Sequence, residues 1–119
     1  MAGGALLAFL AVALGAFGAH AFRDFLLAAN RTGTYETAVH YQFFHAVALI
    51  ITGIMAKLFP NKAFSVVAIL FASGTLIFSG SLYLICATGI TWPGALAPLG
   101  GLAFLSGWAL LARQAYLLK

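Results

Sequence analysis

Four stretches of about 20 mostly apolar residues, at about 2–22, 40–58, 64–88 and 95–117, take up most of this 119-residue chain. That is the length an α-helix needs to cross the hydrocarbon core of a bilayer. The links between them are too short to hold a soluble domain. Only helices or closed barrels satisfy their backbone groups inside lipid. Continuous apolar runs without period-2 alternation favour helices. The expected fold class is therefore all-α: a polytopic membrane protein, an antiparallel bundle of four transmembrane helices in a single domain over residues 1–119.

Composition agrees. Apolar residues make up 64% of the chain and charged residues 7%, against about 45–50% and about 25% in soluble domains. A globule of this composition could not cover itself with polar surface. The net charge of +4 comes from six basic and two acidic residues. They form no basic run and no basic–aromatic interleaving, which argues against nucleic acid as a partner. In a membrane protein such an excess sets topology instead. Four spans place the N-terminus, the second link and the C-terminus on one side, with Lys57, Lys62, Arg113 and Lys119. The other side holds Arg23 and Arg31, partly balanced by Asp24 and Glu36. The count favours an inner-membrane protein with both termini in the cytoplasm.

The links carry local signals. Residues 22–29 (FRDFLLAA) suit two interfacial turns, AANRTG at 28–33 reads as a helix stop, and Thr34 or Thr37 is a candidate cap for the next helix. The second link, around Pro60 and Asn61, reads as a tight turn, and Trp92 in the third suits the membrane interface. Ala19-His20-Ala21 looks like a signal-peptidase site, but no basic segment precedes the apolar run. A retained first helix is expected. The lone Cys86 excludes an intrachain disulfide and reads as a packing residue.

Lipid tails are as apolar as leucine, so close backbone approach and interhelical hydrogen bonds must hold such helices together. Small residues at i, i+4 spacing mark candidate seams. The first helix offers Ala11, Gly15 and Ala19, with Gly18 beside them. The fourth offers Ala97 with Gly101 and Ala103 with Gly107, and Gly100 nearby. Gly80 belongs to a small, weakly polar strip in the third. Such seams serve packing within one bundle or contact with a second copy, a homo-oligomer.

The intramembrane polar groups are the candidate site. At about 100° per residue, Tyr41, Gln42 and His45 share one helix face. His40 falls elsewhere on the helix. Chain direction brings His20, Ser79, Ser81 and Tyr83 towards the same membrane half, the outer one by the charge count. Four roles compete for this cluster. The first is an interhelical hydrogen-bond network that fixes register. The second is a site for a lipid headgroup or other small molecule, such as a quinone. The third is haem or metal ligation by His20 with His45 or His40, although a structural metal wants more ligands than this face supplies. The fourth is proton transfer. The first leads, so no cofactor and no metal site is expected, and membrane lipid is the expected partner. No Ser/His/Asp or Cys/His arrangement and no paired intramembrane acids point to catalysis. A channel or transporter component would need oligomerisation to line a pore.

Four phrases, one per helix and in order, carry a resemblance: LGAFGAH (14–20), TAVHYQFFHAVAL (37–49), FSGSLY (78–83) and APLGGLAFLSGWALL (97–111). Together they resemble the small bacterial inner-membrane proteins grouped as domain of unknown function 423, to which eukaryotic transmembrane protein 256 also belongs. The resemblance implies a four-span membrane protein that keeps its first helix and brings no family chemistry to transfer. It places the family's polar motif positions at His20, Tyr41, Gln42, His45, Ser79, Ser81 and Tyr83, with Gly100, Gly101 and Gly107 in the last helix. His40 receives no role.

Overall fold

The computed structural model describes residues 1–60 and 62–118. Asn61 of the second link and Lys119, counted above among the basic residues, lie outside them. The described residues form helices and turns only: α1 (Ala2–Ala19), α2 (Arg23–Ala28), α3 (Thr32–Leu58), α4 (Phe64–Thr88) and α5 (Ala97–Tyr116), with a 3₁₀ turn at Trp92–Ala95 before α5. Four helices, α1, α3, α4 and the segment Trp92–Tyr116, are long and apolar enough to span a membrane. The outer surface is apolar too. Phe9, Phe44, Leu76 and Leu105 are each more than two-thirds exposed. Such a surface suits lipid and would aggregate in water.

Packing follows chain order. α1 lies against α3, α3 against α4, and α4 against α5. Between its Cα extremes the molecule measures 52 × 26 × 17 Å, a flattened antiparallel bundle with α3 and α4 in the middle. Ala48, Leu49, Val67, Phe71 and Phe104 form its central apolar cluster.

Two boundaries differ from the hydropathy reading. The first helix stops at Ala19, where the chain turns before α2. The second begins at Thr32, not near His40. Its early turns carry Glu36 yet bury Tyr35 and Ala38 against neighbours, so tertiary packing extends the helix beyond the apolar run. At about 1.5 Å per residue, the 27 residues of α3 reach about 40 Å. Neither Thr34 nor Thr37 caps it. Arg31 holds the cap position, and the Thr37 hydroxyl donates to Gly33 O within the helix. The stop before it is built at Asn30, whose φ of 54° is tolerated by asparagine better than by most residues. α4 ends at Gly89 with φ 72°, a left-handed cap that favours glycine.

The seams are narrower than small-residue spacing suggests. A Cβ on Gly100 would meet the Phe78 backbone and side chain, one on Gly74 the Phe104 ring, and one on Gly107 the Phe71 ring. The α5 seam is thus Ala97, Gly100, Phe104 and Gly107, all buried. Gly101 and Gly80 face open space, Ala103 is only half-buried, and Ala19 is exposed. Those four take no part in the seams within this bundle, because the residue one position round an α-helix points about 100° away. In α1, Ala11 is buried, Gly15 faces Val39, and Gly18 backs onto the Tyr35 ring. Gly4, which the i, i+4 pattern missed, lets α1 meet the Ala46 carbonyl and Ile50 of α3.

Candidate functional site

The polar residues inside the bundle divide into small hydrogen-bonded groups, several of which join helices. His45 stands at the midpoint of α3 rather than in its early turns, because the helix starts at Thr32 and not near His40. Its ring stacks on Phe104 of α5, with centroids 3.5 Å apart and planes 11° from parallel. Trp108 Nε1 donates to His45 Nε2 at 3.1 Å. Indole N–H can only donate, so Nε2 accepts and the proton of the neutral ring belongs on Nδ1. Nδ1 then donates to Tyr41 O at 2.8 Å. Both ring nitrogens are occupied, and the residue is 6% exposed.

Gln42, one turn earlier on the same face, joins three helices. Its Nε2 donates to Leu7 O of α1 at 2.9 Å, and its Oε1 accepts from the Tyr83 hydroxyl of α4 at 2.8 Å. Ser79 of α4 donates to Ala38 O of α3 at 2.7 Å. Tyr35 of α3 donates to Leu14 O of α1 at 2.6 Å and meets the Tyr83 ring edge-on. At the far end, Gln114 of α5 accepts the N–H of Ala63, the residue before α4, at 3.3 Å and so ties the start of α4 to its neighbour. Among the described residues, no buried side-chain nitrogen or oxygen is left without a partner.

Three expected members contribute differently. Tyr41 is 43% exposed and offers its ring to Phe78, 4.5 Å away, and its carbonyl to His45. The Ser81 hydroxyl donates to Phe78 O of its own helix and joins no neighbour. His20 is exposed at the end of α1, far along the chain axis from the α3 midpoint, so it does not converge with His45. His40 is exposed as well. Among the described residues no three of His, Cys, Asp and Glu gather as a metal site, and nothing in the arrangement indicates enzymatic chemistry.

Tyr35 and Trp108 were not among the expected members. Tyr35 lies in a stretch that reads as a charged link, and Trp108 reads as one more apolar residue. A signal for Trp108 existed: indole N–H needs an acceptor when its helix packs in a bundle.

A second feature is a partly open cavity of about 680 Å³ beside the α1–α2 corner, lined by Leu14, Phe25, Leu26, Tyr35, Tyr83 and Cys86 among others. It lies on α1, α2, α3 and α4 together.

Comparison with known proteins gives a consistent family. The family model described as "Protein of unknown function (DUF423)" matches residues 14–101. The chain is 39% identical over 108 residues to the UPF0382 membrane protein SH2409 of Staphylococcus haemolyticus, covering 91% of this chain and 87% of that one. It is 38% identical to the UPF0382 membrane protein YwdK of Bacillus subtilis, covering 91% and 88%. It is 36% identical over 115 residues to the UPF0382 inner membrane protein YgdD of Escherichia coli, covering 97% and 87%. No solved structure matches. These matches run through all four spanning helices, and the chain belongs to the DUF423 family of small integral membrane proteins.

Proposed function

We propose that this protein is non-enzymatic and acts through contacts, presenting a fixed helical surface to lipid or to another membrane protein, a second copy included. The observation that carries this reading is the state of His45. An imidazole donating from Nδ1 and accepting at Nε2 has no lone pair free for a metal and no proton offered to a substrate. Gln42 and Tyr83 are likewise turned onto protein partners. The polar groups therefore fix helix register, and no resident haem or metal is part of the reading.

Purification in mild detergent tests it. A native mass spectrum should give the 12.5 kDa chain, or a whole multiple of it, with lipid as the only retained small molecule. A Soret band, or iron or zinc in stoichiometric amount, would overturn the reading.

The protein belongs to the cytoplasmic membrane with both termini in the cytoplasm. Support comes from the basic residues Lys57, Lys62 and Arg113 at one end of the helices, against Arg23 and Arg31 at the other. A further support is the relative named an inner membrane protein in Escherichia coli. A phosphatase active only outside the cytoplasm, fused after the last residue, should be silent; an active fusion would reverse the orientation.

A further inference from the structure

The cavity at the α1–α2 corner is walled in part by Tyr35 and Tyr83 of the hydrogen-bond network, and its chemistry is narrow. Leu14 and Leu26 supply hydrocarbon, and Phe22 and Phe25 add aromatic faces. The polar atoms that reach it are committed elsewhere: the Tyr35 hydroxyl to Leu14 O, the Tyr83 hydroxyl to Gln42 Oε1, and Cys86 Sγ to Arg31 O. An occupant would find no free hydrogen-bond donor and an almost wholly apolar lining, so hydrocarbon fits best where it enters. Its volume of about 680 Å³ lies within the range of about 300–1,000 Å³ typical of ligand pockets.

Position selects the occupant. Leu14 lies five residues inside the end of α1, about 7.5 Å along the axis. α2 begins with Arg23 and Asp24 and leaves Phe25 and Leu27 more than half exposed, the composition of a short helix resting at the membrane surface. The cavity thus runs from the headgroup level into the acyl region. Arg23 and Asp24 open α2, whose Phe25 and Leu26 line the cavity, and the Arg31 carbonyl lies 3.9 Å from Cys86 Sγ of its wall. Charged residues thus flank this end of the fold, where a polar head would remain.

The geometry points to a phospholipid site: one acyl chain enters the cavity beneath α2 while the headgroup stays at the interface beside Arg23 and Arg31. This inference rests on the reading that the protein works through contacts, and it names the contacting molecule.

The test uses the full chain in vesicles of phosphatidylethanolamine and phosphatidylglycerol, doped with phosphatidylethanolamine carrying a diazirine in one acyl chain. After irradiation, labels are mapped by mass spectrometry. Leu14, Leu26 and Cys86 should be labelled several-fold above the lipid-facing Leu76 and Leu105, although these last are far more exposed. Ala87→Phe, which adds a ring at an exposed residue of the cavity wall, should bring the cavity residues down to or below that level and leave Leu76 and Leu105 unchanged. Labelling that simply follows exposure, or an excess that Ala87→Phe leaves intact, overturns the site while the contact reading stands. Recovery of hydrolysed or otherwise altered lipid from the same vesicles would overturn the contact reading instead.

Discussion

Gly100→Ala should destabilise the protein by about 2–3 kcal/mol, towards the upper end of what overpacking a core costs. The added methyl would come within 2.7 Å of Phe78 Cβ and 2.9 Å of Phe78 Cα. Backbone atoms of α4 cannot rotate aside, so α4 and α5 must separate. Their separation would also loosen the Gly74–Phe104 and Gly107–Phe71 contacts, since one seam carries all three. Gly101→Ala is the control. Its Cβ would meet nothing within 4 Å, so the change should fall within about 0.5 kcal/mol. Unfolding of both variants in mixed micelles checks the pair, and equal effects would refute the assignment of the seam.

His45→Ala should cost a similar amount, about 3 kcal/mol, in line with the removal of a large packed core ring. The imidazole lies flat on Phe104 and tilts against Phe71, with centroids 5.5 Å apart. Its loss opens a hole in the middle of the bundle and strands the Trp108 N–H. His45→Phe should be milder, because it restores the stack and forfeits only the two hydrogen bonds. His40→Ala, at an exposed position, should stay within about 0.5 kcal/mol. Thermal unfolding measured by light scattering or intrinsic fluorescence separates the three. An unchanged midpoint in His45→Ala would show that the ring does not hold the helices together.

The number, direction and type of the helices were legible because hydropathy over about 20 residues is a strong signal in so apolar a chain. The start of α3 was not. Residues 32–39 carry a charge, and hydropathy alone cannot see that Tyr35 and Ala38 face protein while Glu36 faces outward. That one shift moved His45 from the early part of its helix to the middle of it. Helix phase grouped Tyr41, Gln42 and His45 on one face and kept His40 off it; Gln42 and His45 are buried there, while Tyr41 stays 43% exposed. It could not tell which neighbour each would meet, since partners such as Leu7 O and Ala38 O are backbone atoms common to every residue. The glycines show the same limit. Spacing marked Gly100 and Gly101 alike, and only the direction of α4 separates them.

Because each spanning helix after the first packs on its predecessor, the molecule can be assembled in the order in which it is made. When α3 enters the membrane, α1 is already there to receive the Gln42 amide and the Tyr35 hydroxyl. When α4 follows, Tyr83 and Ser79 find α3 waiting. Few contacts must span long stretches of sequence, the property that makes helical topologies quick to form. His45 is the exception. Its acceptor nitrogen has no partner until Trp108 arrives, so that pairing closes only once α5 is in the membrane.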